Sequence, residues 1–262
     1  HKDGPALVLA GAGSGKTRVI TRRIAHLIGG GVFSSKILAV TFTNKAAGEM
    51  KERVGALVED CRATVCTFHS LCSRILRRHW KAVGLDRNFG ICDEGDAVRH
   101  VKVAIQQMGL DPAAYQTAPV QAEISRAKAD SLGPADLLKR ATTPHQHNLA
   151  QVFRLYDRLV RTSGSLDFDD LLNLVVMAFN TNESLRAEVA AQWKYILVDE
   201  YQDTNNPQYR LLRLLTREHS NIMVVGDPDQ SLYSFRGADI RNILGFEEDY
   251  PSAVAYKLEA NY

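Results

Sequence analysis

Over the first third of the chain, short runs of consecutive apolar residues alternate with segments whose apolar positions recur every three to four residues. Ala6–Ala10, Ile37–Thr41 and Thr64–Thr67 read as strands, each followed by a helical pattern, at residues 15–28, 44–58 and 69–80. Near-continuous apolar strands joined by helices predict βαβ units and a parallel sheet covered on both faces. From about Asp86 to Ala191 the strand signal stops. Helical periodicity takes over at 93–108, 119–129, 147–162, 168–179 and 183–193, with turn residues at 109–112, 133–134 and 142–144. The first pattern then resumes, with strands at Tyr195–Val198, 222–225 and 253–256 and helices at 207–216 and 240–246. Three strands and then three more would leave two meagre sheets. The expectation is therefore one α/β domain with a shared parallel sheet, residues 1–86 and 192–262, interrupted by an all-helical insertion at 87–191.

Composition narrows the class. With 262 residues, 45% hydrophobic and 24% charged, the chain falls outside the collagen-like, low-complexity and disordered classes. Its longest apolar runs are of five or so residues, such as Ala6–Ala10. A bilayer crossing needs roughly 20, and no secretory leader is expected either. Cys61, Cys66, Cys72 and Cys92 form no Cys-x-x-Cys pair, so reduced thiols in a cytoplasmic protein are expected rather than zinc or a disulfide framework. The net charge of +2 conceals an asymmetry: residues 1–85 carry 14 Lys and Arg against 5 Asp and Glu, and the remainder 18 against 25. A basic first third suits a polyanionic partner and equally an unevenly charged surface.

Three strand–loop junctions carry candidate chemistry. Ala10-Gly11-Ala12-Gly13-Ser14-Gly15-Lys16-Thr17 follows a strand and opens a helix, a Walker A pattern with Ala in place of the first Gly. Its glycines let successive N–H groups face phosphate oxygens at a helix N-terminus, where Lys16 reaches the β- and γ-phosphates and the Thr17 hydroxyl reaches Mg²⁺. Tyr195-Ile196-Leu197-Val198-Asp199-Glu200 ends an apolar strand in two carboxylates, Asp199 for Mg²⁺ and Glu200 to polarise an attacking water. Val224-Val225-Gly226-Asp227-Pro228-Asp229-Gln230 would put Gln230 at the same sheet edge, facing the γ-phosphate. Phe42, Phe68, Tyr233 and Phe235 follow strand ends and suit base stacking, though core aromatics beneath loops fit Phe68 and Tyr233 as well. Arg74, Arg77, Arg78 and Lys81 suit phosphate contacts or a solvated helix face equally.

Together with Thr41-Phe42-Thr43-Asn44-Lys45-Ala46-Ala47, Thr67-Phe68-His69-Ser70, Asp199-Glu200-Tyr201-Gln202-Asp203-Thr204 and Gly226-Asp227-Pro228-Asp229-Gln230-Ser231-Leu232-Tyr233-Ser234-Phe235-Arg236-Gly237-Ala238, these junctions resemble superfamily 1 DNA helicases of the UvrD/PcrA/Rep type. The resemblance spans the chain and implies a RecA-like P-loop NTPase domain that moves 3′ to 5′ on single-stranded DNA. It implies ATP held by Ala12, Gly13, Ser14, Gly15, Lys16, Thr17, Arg18 and Tyr262, with Arg18 and Tyr262 on the two adenine faces. Thr17 and Asp199 would bind Mg²⁺, and Lys16, Glu200 and Gln230 would carry catalysis. Phe42, Thr43, His69, Tyr233, Phe235 and Arg236 would touch DNA or couple it to ATP. Tyr201 stands where Phe is usual and Phe235 where Trp is common. The implied partners are single-stranded DNA, single-strand/duplex junctions and a second RecA-like domain supplying γ-phosphate arginines. Residues 1–262 alone are accordingly expected to be nearly inactive. The alternative is a single-strand-binding module that binds ATP without turning it over.

Overall fold

The structure is a computed structural model and describes residues 1–11, 14–230 and 238–258. In chain order its strands are β1 (Ala6–Ala10), β2 (Ile37–Thr41), β3 (Thr64–Thr67), β4 (Gly90–Ile91), β5 (Ser165–Leu166), β6 (Tyr195–Val198), β7 (Ile222–Gly226) and β8 (Val254–Leu258). The helices are α1 (Lys16–Gly29), α2 (Asn44–Gly55), α3 (Phe68–Arg78), α4 (Glu94–Gln107), α5 (Thr117–Ala129), α6 (Pro134–Arg140), α7 (Pro144–Thr162), α8 (Phe168–Thr181), α9 (Glu183–Ala190), α10 (Asn206–Thr216), α11 (Arg241–Leu244) and α12 (Phe246–Asp249).

The chain divides into two compact units, residues 1–71 with 178–262, and residues 72–177. The divisions fall inside α3 and α8, whereas the sequence reading set the edges of the insertion at 87 and 191. As a result α9, read as part of the insertion, belongs with the first unit.

The first unit is built on a six-stranded sheet of order β3-β2-β6-β7-β1-β8, every pair parallel. Strands from before and after the insertion interleave: Ile37 of β2 pairs with Tyr195 of β6, and Ala6 of β1 lies between Met223 of β7 and Val254 of β8. Neither half could close this sheet alone. One face packs Ala6, Val8, Ala39, Leu197 and Val225 against Ile20, Ile24 and Leu27 of α1 and Met50 and Val54 of α2. The alternate residues Leu7, Leu38, Val40, Ile196, Val198 and Val224 are buried too, which is why these strands are apolar throughout. Parallel strands point the same way, so the segments after β1, β2, β3, β6 and β7 all emerge at one edge.

The second unit packs α4, α5 and α7 around Val101, Ile105, Ile124, Val152, Phe153 and Val160. It also contains a two-residue parallel ladder, β4 with β5, in a region read as helical throughout. Two-residue strands carry no periodicity to detect. No helix among the described residues is long and apolar enough to cross a membrane.

Candidate functional site

The turn after β1 enters α1 through Gly15, whose φ of +86° is the left-handed conformation that glycine adopts without strain. Upstream, the Ser14 amide and hydroxyl both donate to the Gly11 carbonyl, at 3.2 and 2.6 Å. Gly15 offers no side chain to cap α1, and its first turn carries no acidic residue. The first-turn N–H groups have no intrahelical acceptor, and with the helix dipole behind them they favour an anion. Ala12 and Gly13 lie outside the described residues.

At the end of β6 the Asp199 amide donates to Val40 of the neighbouring β2 at 3.0 Å, which fixes where its side chain emerges. The Asp199 carboxylate accepts from the Thr17 hydroxyl at 3.2 Å and from the Glu200 amide at 3.1 Å. It is 2% exposed. Burial first, and the nearby Glu200 charge second, push its carboxyl up to about 6. Glu200 sits at φ +51°, unusual for a residue with a Cβ. That turn brings its carboxylate to Lys16, whose ammonium donates to Glu200 Oε2 at 2.9 Å and to Gln230 Oε1 at 3.4 Å. Gln230 closes the single 3₁₀ turn Pro228–Gln230 after β7. The glycine turn, the acidic strand end and the Gln230 loop therefore meet through side-chain contacts around Lys16 and Thr17.

These oxygens can hold a small hard cation. A magnesium ion takes one or two protein oxygens and fills its remaining positions with water and phosphate. The Thr17 hydroxyl beside a buried Asp199 carboxylate whose ionisation burial resists is such a pair, since a cation there would offset the cost of the buried charge. No larger cluster of His, Cys, Asp and Glu suited to a metal is present among the described residues. Beside the glycine turn lies a cavity of about 720 Å³ lined by Ser14, Gly15, Arg18, Val19, Met223 and Tyr256, among others. Exposed Arg18 borders it.

The remaining predicted positions divide. Phe42 and His69 are half-buried just past β2 and β3, one and two strands along the sheet from the strand that ends at Asp199. Thr43 is exposed and serves as N-cap of α2, accepting from the Ala46 amide at 3.1 Å. Phe68 is buried, edge-on to Phe42 at 6.1 Å between ring centroids, which settles its two readings in favour of the core. Arg77 lies over the Phe89 ring at 4.5 Å and donates to the Phe89 carbonyl at 3.3 Å, so its guanidinium is engaged in packing. Tyr233, Phe235, Arg236 and Tyr262 lie outside the described residues. Sequence reasoning missed Gln202 and Asp227, both buried, whose contacts join two of the loops. The available signal was a Gln flanked by acids in Asp199-Glu200-Tyr201-Gln202-Asp203.

A parallel sheet that gathers a glycine turn, an open helix N-terminus and a buried carboxylate at one edge defines a RecA-like P-loop NTPase domain. Residues 1–251 match the UvrD/REP helicase N-terminal domain, and the chain belongs to that family. It is 47% identical over 264 residues to a protein of Leuconostoc citreum named ATP-dependent DNA helicase PcrA, covering 99% of this chain and 35% of that protein. A protein of the same name from Staphylococcus aureus strain Mu50 is 45% identical over 263 residues, with coverage of 99% and 36%. The chain thus spans 35–36% of the length of these relatives.

Proposed function

We propose that this chain is the ATP-hydrolysing motor domain of a DNA helicase, acting 3′ to 5′ on single-stranded DNA together with a second RecA-like domain. The observation that carries the reading is the convergence of Lys16 and Thr17 with Asp199, Glu200 and Gln230. In this reading the first turn of α1 and Lys16 bind the β- and γ-phosphates, and Thr17 and Asp199 hold Mg²⁺. The metal supplies charge neutralisation to the transferring phosphoryl group. Glu200 orients the attacking water and accepts its proton, and Gln230 senses the γ-phosphate. Arg18 packs on adenine at the mouth of the cavity. Phe42, Thr43 and His69 belong to the DNA surface, at strand ends β2 and β3, with Tyr233, Phe235 and Arg236 completing it. The basic first third of the chain supports the polyanionic partner.

The test is hydrolysis of ATP by the full-length protein with and without oligo(dT). Strong stimulation by DNA is expected, abolished in Lys16→Ala and in Glu200→Gln. A Lys16→Ala variant that hydrolyses ATP like the wild type overturns the reading. A polypeptide of residues 1–262 is expected to bind ATP with turnover near background, and robust DNA-independent hydrolysis by it would refute the need for a second domain.

A further inference from the structure

We propose that Gln202 is a positioning residue for hydrolysis, holding the Glu200 carboxylate and the Gln230 loop in register through a closed ring of hydrogen bonds. Gln202 Nε2 donates to Glu200 Oε2 at 2.7 Å, and Gln202 Oε1 accepts from the Asp227 amide at 3.0 Å. Asp227 Oδ2 accepts from Gln230 Nε2, and Gln230 Oε1 accepts from Lys16 Nζ at 3.4 Å. Lys16 returns to Glu200 Oε2 at 2.9 Å and closes the circuit. This inference rests on the roles proposed above for Lys16, Glu200 and Gln230.

The chemistry of the partners fixes the amide. A backbone N–H can only donate and a carboxylate can only accept, so one orientation of the Gln202 carboxamide satisfies both and the flipped one satisfies neither. Gln202 is 1% exposed, and water does not compete for these bonds. Its Nε2 also lies 3.2 Å from Asp203 Oδ2. The packing leaves the side chain little room, since a Cβ on Gly226 would lie 2.7 Å from Gln202 Oε1. A glutamate side chain has three rotatable bonds, and Lys16 alone, itself long and rotatable, defines the Glu200 carboxylate poorly. A second, buried donor from the same loop defines it. Through Asp227 the same amide reaches the loop carrying Gln230, so a displacement at one of the two residues is felt at the other.

The ring predicts a specific kinetic signature in the full-length protein. Gln202→Met, which removes donor and acceptor at similar volume, is expected to lower kcat for DNA-stimulated ATP hydrolysis by about tenfold or more, with KM for ATP within about threefold. Gln202→Glu keeps an acceptor for the Asp227 amide and loses the donor to Glu200; it is expected to show the same split, and carries the test should Gln202→Met fail to fold. Three results overturn the inference: a kcat within twofold of wild type in Gln202→Met, a KM that rises as far as kcat falls, or wild-type kcat in Gln202→Glu. The control is Lys16→Ala. If it leaves hydrolysis intact, the nucleotide site itself is misassigned; if it abolishes hydrolysis, the Gln202 results bear on Gln202 alone.

Discussion

Asp199 and Glu200 are adjacent in sequence and meet different surroundings. Asp199 is buried against the Thr17 hydroxyl, whereas Glu200 is partly exposed and faces the Lys16 ammonium and the Gln202 amide. Under the proposed roles their removal separates two measurements. Glu200→Gln should keep ATP affinity within about threefold while turnover falls about 100-fold or more, the scale of a lost general base. Asp199→Asn should weaken ATP binding in the presence of Mg²⁺ and change it little in EDTA, as read by titration with a fluorescent ATP analogue. Equal Mg²⁺ dependence in wild type and Asp199→Asn would remove Asp199 from the metal site. A second carboxylate shows the same physics away from this site. Burial, and then the charge of Asp167, push the half-buried Asp169 carboxyl up to about 6, although it accepts from the Ser125 hydroxyl at 2.7 Å. An acid whose folded value exceeds its unfolded value near 4 contributes stability in full below about pH 4, and loses it as pH rises through about 6. Asp169→Asn should therefore raise the urea midpoint more at pH 7.5 than at pH 5; an equal gain at both values would dismiss the burial account.

Among the elements, β7 ends where two others press on it. The ideal Cβ on Gly226 would lie 2.7 Å from Ile243 Cδ1 of α11, as close as it would come to Gln202 Oε1, and 3.3 Å from the Gln202 amide nitrogen. Gly226→Ala is expected to cost about 1–3 kcal/mol through overpacking, measured by denaturant titration, and an unchanged midpoint would show that the junction can open. Helix starts follow local rules that the sequence carries only in part. The Asn205 side chain accepts from the Gln208 amide, and the Gln208 side chain from the Asn205 amide, both at 3.1 Å, with Pro207 in the first turn of α10. The helix expected at 207–216 accordingly begins within one residue of its predicted start. The same device at Thr143 and Gln146 starts α7 at Pro144, three residues before the predicted 147, because a proline read as turn punctuation is the first residue of the helix. Likewise Gly133-Pro134 read as a loop and instead opens α6, where the Gly133 amide donates to Asp136 Oδ2 at 3.0 Å. Proline fits both contexts, and only the packing of the following residues separates them.

For the molecule as a whole, the first unit is built on six strands with apolar faces and buries Arg186 against Glu183 and Glu218, whereas the second packs helices and buries a lysine among three carboxylates. Lys128 is 4% exposed and lies 2.6 Å from Asp167, 2.9 Å from Asp170 and 3.0 Å from Asp157. Burial alone would lower the Lys128 ammonium, but the three carboxylates outweigh it and hold it above its ordinary value. Tyr156 donates to Asp167 at 2.8 Å, tying α7 to the segment before α8. Lys128→Met removes the buried cation shared by the three carboxylates, leaving only Arg161 at 3.6 Å from Asp170, and is expected to destabilise the second unit by about 3–5 kcal/mol. In hydrogen exchange the loss of protection should concentrate at 94–162, with the amides of β1, β6 and β7 little changed. Uniform loss across both units would show that they unfold together.

Local periodicity determined the type and order of the main elements: Ala6–Ala10, Ile37–Thr41 and Tyr195–Val198 were legible residue for residue because strands buried on both faces are near-continuously apolar, and the edge strand Thr64–Thr67 was legible from its β-branched run. Spacing and residue chemistry likewise singled out Lys16, Thr17, Asp199, Glu200 and Gln230, after strands whose ends the structure brings together. The tertiary structure decided which strands are neighbours, and with them the meeting of Thr17 with Asp199, the Gln202 ring and the buried Lys128. The longest of those contacts, Lys16 to Gln230, joins residues 214 positions apart. Such contacts depend on strand order and loop path, and a pattern repeating every two or four residues does not contain that information.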